Sequence, residues 1–255
     1  MRTGTRRGTT ALLALIALLA IASSASAVTI TEFTSGISAG SQPSRIAAGS
    51  DGNMWFTERA AGRIGRITAQ GVVTEYSSAI TAGSAPHGIV AGPDGNMWFT
   101  ALAGNHVGRI APDGTITEFG VGVRPVGTIA AGPDGRLWFP VRIDGTYPAI
   151  AAITTNGVVT MYGDGLDAGA FPRGIAAGPD GNLWFTDAND AIGRVTTAGV
   201  ITVFTTPTSN SEPFEIAAGP DGNLWFTERA AGRIGRITPA GVVTEFSAGI
   251  TANAR

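Results

Sequence analysis

Short apolar runs separated by glycine turns fill this chain, and their order recurs. Between residues 213 and 246 the pattern predicts four strands, at 215–218, 223–227, 233–238 and 242–246. Asp221-Gly222 supplies the first turn, where glycine takes the positive φ that a tight hairpin needs. Ala231-Gly232 and Ala240-Gly241 do the same before the third and fourth strands. The second strand reads Leu224-Trp225-Phe226 without alternation. That predicts a strand buried on both faces.

The same unit returns along the chain. Its Asp-Gly turns begin at Asp51, Asp94, Asp134, Asp180 and Asp221, spaced 43, 40, 46 and 41 residues apart. The aromatics closing the fourth strand fall at Phe33, Tyr76, Phe119, Tyr162, Phe204 and Phe246, at steps of 42 or 43. Residues 51–76 and 221–246 differ at four of 26 positions, so the array is a tandem repeat. A period of this length, with four strands and one tryptophan per unit, predicts an all-β propeller. Five blades are expected, near 43–76, 86–119, 125–162, 172–204 and 213–246, in a domain covering 28–255. Residues 29–33 read as a surplus fourth strand without a blade of its own. Residues 250–255 resemble 80–85, which lead into the next blade. Both features suggest a truncated chain or a parent with more blades.

The first 27 residues read as an export signal. Arg2, Arg6 and Arg7 precede an apolar run from Ala11 to Ala22, and Ala25-Ser26-Ala27 is a small-x-small cleavage site. The run is too short to span a bilayer comfortably. The mature chain is expected to start at Val28 and to be secreted or periplasmic. Arg6-Arg7 leaves both the general and the twin-arginine routes open. Cleavage removes three arginines and no acid, taking the formal charge from −2 to −5. That balance argues against nucleic acid or a membrane as the main partner. There is no cysteine, which excludes disulfides, thiol catalysis and Cys-metal sites. Every basic side chain is an arginine.

Candidate chemistry lies where copies depart from the pattern. Of 19 aromatics, 16 occupy repeated positions, leaving Tyr147, Phe171 and Phe214. Phe171 and Phe214 sit at the start of a first strand, as does His87, while His106 and Tyr147 fall in loops after a second strand. In a propeller these places share one face near the axis, which points to a ligand site there. The position ending the second strand also varies: Glu58, Ala101, Val141, Asp187, Glu228. Each acid there could instead be solvated or paired with an arginine such as Arg63 or Arg233. The repeated Asp-Gly aspartates read as turn formers, since no run of oxygen ligands follows them.

The blade text Gly-Pro-Asp-Gly-Asn-Leu-Trp-Phe-Thr-Glu, then Gly-Arg-Ile-Gly-Arg-Ile-Thr and Val-Val-Thr-Glu-Phe, closely resembles the virginiamycin B (streptogramin B) lyase family. The resemblance covers the whole mature chain. It implies a seven-bladed propeller that linearises a cyclic depsipeptide antibiotic by Mg²⁺-assisted elimination at the ester. By its match to the family's Pro-His blade entry, Pro86-His87-Gly88-Ile89, it further implies His87 as a catalytic residue, with Glu58, Glu212 and Glu228 as metal carboxylates, while the family's base histidine falls at Phe214. His106, Tyr147, Phe171 and Phe214 are then substrate contacts in a monomeric protein. The match to the family pattern is partial. Glu212-Pro213 is followed by Phe214 where the family has a histidine, and Ala85 and Ala101 replace acids around His87. Two further readings therefore stand beside the lyase: a non-catalytic extracellular binding propeller, and a metal-dependent lactonase-like one. The lactonase reading is weakened by the absence of an Asn/Asp cluster at the strand ends.

Overall fold

The computed structural model describes residues 30–143 and 147–251. The export signal and the start at Val28 lie outside the described residues. Thr34–Arg255 form one compact unit, which holds every strand. The described chain is all-β: five antiparallel sheets, each built from consecutive strands running outward in chain order.

Blade 1 comprises β1 (Pro43–Ala48), β2 (Met54–Glu58), β3 (Arg63–Ile67) and β4 (Val73–Tyr76). Blade 2 comprises β5 (Pro86–Ala91), β6 (Met97–Ala101), β7 (His106–Ile110) and β8 (Ile116–Gly120). In blade 3 the inner strand is split into β9 (Arg124–Pro125) and β10 (Ala130–Ala131). Both parts pair with β11 (Leu137–Ile143), followed by β12 (Tyr147–Ile153) and β13 (Val159–Tyr162). Blade 4 holds β14 (Pro172–Ala177), β15 (Leu183–Asp187), β16 (Ala191–Val195) and β17 (Ile201–Thr205). Blade 5 holds β18 (Pro213–Ala218), β19 (Leu224–Glu228), β20 (Arg233–Ile237) and β21 (Val243–Phe246).

The surplus strand expected at 29–33 is a correction. Residues 30–33, its described part, take no strand, and Ile30 is 83% exposed. Each sheet is already complete, so this segment has no ladder to join, and a lone strand leaves its backbone groups unpaired.

The repeat residues explain the blade core. In every blade the tryptophan of the second strand stacks on the aromatic of the fourth, with ring centres 5.2–5.6 Å apart. Its indole N–H donates to the Asp-Gly aspartate at 3.0–3.1 Å. That aspartate therefore forms the turn and also satisfies a buried donor, as burial requires. In blade 3 the next residue, Phe139, faces Ala151, whereas in blades 1, 2, 4 and 5 the phenylalanine there lies over a glycine of the third strand. A Cβ on Gly65, Gly108, Gly193 or Gly235 would come within 1.9–2.1 Å of that ring, so only glycine fits there. Arg66, Arg109 and Arg194 lie over the tryptophan rings and donate to carbonyls of the following blade, at Pro112, Thr155 and Pro239.

Candidate functional site

A kink in the first strand of four blades directs side chains toward the axis. The register between first and second strands shifts after Pro43, Pro86, Pro172 and Pro213. Such bulges bend a strand and re-aim its side chains, often beside a site. They carry Ser44-Arg45, His87-Gly88, Arg173-Gly174 and Phe214-Glu215.

A buried threonine locks three of these bulges to the blade that follows. Thr57 accepts the N–H of Arg45 at 3.2 Å and donates to the carbonyl of His87 at 2.7 Å. Thr100 accepts from Gly88 at 3.0 Å and donates to the Gly127 carbonyl at 3.0 Å. Thr186 accepts from Gly174 at 2.9 Å and donates to the Phe214 carbonyl at 2.8 Å. Blade 3 has Pro140 at this position, and there Thr128 bonds onward to Ile175 at 3.0 Å instead. Scaffold threonines thus fix the backbone of His87 and Phe214.

Of the kinked residues, His87, Arg173, Phe214 and Glu215 line one cleft of about 510 Å³, whose wall draws on all five blades. His87, Phe171, Arg173 and Phe214 form part of its wall, and Arg59, Arg124, Arg142 and Arg229 complete a basic ring. Glu215 is the one acid in the lining, and it is ion-paired with Arg45. His87 is half-buried, with Nδ1 2.9 Å from Ser44 Oγ. Burial, and then the charges of Arg45, Arg59 and Arg173, pull its pKa down to about 4. The imidazole is therefore neutral at physiological pH.

Three of the eight sequence candidates meet in this cleft: His87, Phe171 and Phe214. His106 and Tyr147 begin β7 and β12, and neither lines it. Tyr147 is 59% exposed. A third strand lies one strand spacing farther from the axis than the second, so its first residue is too far out. Glu212 precedes Pro213 in the left-handed region (φ 54°) and pairs with Arg229 on the rim.

Glu58 and Glu228 turn away from the axis. Side chains alternate along a strand, and Thr57 already faces the next blade, so Glu58 takes the opposite face with Phe56. Both glutamates are buried, and a serine hydroxyl, of Ser41 or Ser211, stands near enough to favour the ionised form. Burial and the neighbouring carboxylate, Glu75 or Glu245, push each pKa up to about 7. Arg63 and Arg233 bond to Glu75 and Glu245 rather than to these residues. Burial also works against ionisation of Glu75 and Glu245. Hydrogen bonds from Ser38 and Thr208, together with those arginines, outweigh it and hold both below the usual range.

A raised native pKa means that the fold retains a proton the unfolded chain releases near 4.5. The stability from Glu58 and Glu228 is then complete below that value and is lost as pH rises toward 7. Glu75 and Glu245 act in the opposite sense, losing their contribution below about pH 4.5. Thermal melts between pH 5 and 8 should show a falling Tm. Glu58→Gln should flatten part of that slope and stabilise the protein at pH 8, by an amount on the order of 1–3 kcal/mol. A slope unchanged in Glu58→Gln and Glu228→Gln would locate the effect elsewhere.

The Mg²⁺ implied by the resemblance does not fit these residues. Among the described residues no group of three or more His, Cys, Asp or Glu side chains could hold a metal ion. Glu58, Glu212 and Glu228 point to separate places, and the cleft wall is cationic.

A family model for the virginiamycin B lyases matches residues 16–254. The chain belongs to the virginiamycin B lyase family. Among solved structures, a virginiamycin B lyase from Staphylococcus aureus is 40% identical, with a TM-score of 0.77 over 84% of this chain and 72% of that one. A catalytically inactive histidine-to-alanine variant of the S. aureus lyase, solved with quinupristin, is also 40% identical. Its TM-score is 0.75, over 84% of this chain and 73% of that chain. A streptogramin B lyase structure is 33% identical, with a TM-score of 0.77 over 84% and 71% of the two chains. No curated protein matches the chain.

The arginines of the cleft escaped the reading of this lyase-family sequence. One signal was present: Arg45, Arg59, Arg124, Arg142, Arg173 and Arg229 all lie outside the repeated Gly-Arg-Ile-Gly-Arg motif, in a chain without lysine.

Proposed function

We propose that this protein binds a streptogramin B-type cyclic depsipeptide in the axial cleft and opens its ester by elimination, with His87 as base. The observation that carries the reading is a neutral histidine in a cleft ringed by guanidinium groups. In the tautomer whose Nδ1–H donates to Ser44 Oγ, Nε2 keeps its lone pair and can accept a proton. That proton leaves the carbon α to an amide carbonyl and β to the ester oxygen. Its bonding pair becomes the new C=C bond, and the C–O bond breaks to release a carboxylate. Arg59 and Arg173, beside His87, suit the negative charge that develops. That charge also offsets their pull on His87 and raises its basicity as the reaction proceeds. Phe171 and Phe214 supply apolar contact. The export pattern of residues 1–27 supports an encounter outside the cytoplasm.

Elimination conserves mass, whereas hydrolysis adds one water. Incubating the full chain with quinupristin and analysing it by mass spectrometry should give a linear product of unchanged mass with a new unsaturation. A product heavier by water excludes elimination. Binding without turnover favours the non-catalytic propeller, the reading to which Phe214 at the family's histidine position points.

A further inference from the structure

Three arginines and two phenylalanines alternate along the cleft wall. The guanidinium carbons of Arg142 and Arg173 lie 4.2 and 4.3 Å from the centre of the Phe171 ring. Arg173 is also 5.7 Å from the Phe214 ring, over which Arg229 lies at 5.0 Å. All four contacts fall within cation–π range. The order is Arg142, Phe171, Arg173, Phe214, Arg229, drawn from blades 3, 4 and 5.

In the ladder Arg142 donates to the Ala170 carbonyl at 3.4 Å and Arg229 pairs with Glu212, whereas Arg173 differs from the arginines of the scaffold. Arg66, Arg109 and Arg194 each donate to a carbonyl of the following blade. The buried Nε of Arg173 has no hydrogen-bond partner, and no carboxylate among the described residues lies within ion-pair distance of Arg59, Arg124 or Arg173. The position of Arg173 is nonetheless fixed. Its carbonyl accepts the Thr128 N–H at 3.1 Å, and a Cβ on Gly127 would lie 1.8 Å from that carbonyl oxygen. Burial and the charges of Arg229 and Arg142 lower its pKa, with Glu212 opposing them. Glu212 is ion-paired with Arg229, which leaves Arg173 without a carboxylate of its own among the described residues.

We propose that the ladder is an anion-recognition site for a small ligand that joins a carboxylate to a flat apolar body. The guanidinium forks of Arg173 and its neighbours suit a carboxylate, and the phenylalanine faces between them suit the body. The proposal stands on the ladder and does not require His87 to act as a base.

The test is a ¹⁹F NMR titration of the full chain with 4-fluorobenzoate, against the neutral isostere 4-fluorobenzamide, at constant ionic strength. Benzoate should bind saturably and about tenfold or more tighter than the amide, as expected for charge-assisted hydrogen bonds. Arg173→Met keeps much of the side-chain stem and should weaken benzoate by about tenfold, leaving the amide unchanged. Should that variant fail to fold, Arg59→Gln at the exposed mouth should still weaken benzoate about threefold. Equal binding of the two probes, binding of neither, or benzoate affinity unchanged in the folded variant overturns the proposal. Turnover of quinupristin bears on neither probe, so the two readings fail separately.

Discussion

Replacing Trp184 with alanine should lower the unfolding free energy by about 3–5 kcal/mol, a large part of the ~5–15 kcal/mol that holds a typical domain. Trp184 is fully buried, stacks on Phe204 at 5.6 Å, and packs with Ile192, Ile216 and Leu224, which span blades 4 and 5. Its removal also leaves Asp180 without the indole donor now 3.0 Å away. Trp225 makes the same bond and stack within blade 5 but is only half-buried, because it borders an open apolar groove. Trp225→Ala should therefore cost about half as much, roughly 2 kcal/mol. Urea unfolding followed by far-UV circular dichroism would compare them. Equal losses would show that packing between blades contributes little beyond the blade itself.

His87→Ala should cut turnover of the cyclic depsipeptide by about 10²–10⁴-fold while leaving its binding within a few-fold, the pattern of a lost general base. In the parent protein kcat/KM should stay level from about pH 8 down to about 5, because His87 titrates near 4. Protonation below that value removes the base and the rate falls. A limb near 6.5, the ordinary histidine value, would mean that neither burial nor the arginines depress the imidazole. An unaltered rate in the variant would remove His87 from the chemistry.

The two predictions rest on different degrees of legibility. The propeller was readable because its period, glycine turns and Leu-Trp-Phe strands are all local signals. The blade 5 strands expected at 215–218, 223–227, 233–238 and 242–246 lie within about two residues of those observed, ordinary scatter for strand ends. The cleft was only partly readable. His87, Phe171 and Phe214 stood out as departures from the repeat at first-strand starts, and all three line it. Arg173 and the arginines around it did not, although a proline, Pro172 in this blade, precedes each bulge and was the signal available. Glu58 and Glu228 lie outside the cleft for a different reason. Their position after Thr57 and Thr227 fixes the face they take, and alternation along the strand turns them toward Glu75 and Glu245. Blade 3 departs furthest: Pro140 has no side-chain hydroxyl, and Thr128, between the two parts of the split inner strand, makes the bonds to the next blade instead.

The central claim is that the arginine-ringed cleft around His87 is where the ligand reacts. A crystal structure of the His87→Ala variant with quinupristin tests it most directly. The account predicts the ligand in that cleft, its ester over the site of the lost imidazole and its apolar groups against Phe171 and Phe214. A ligand bound elsewhere on the propeller, or none at saturating concentration, would contradict it.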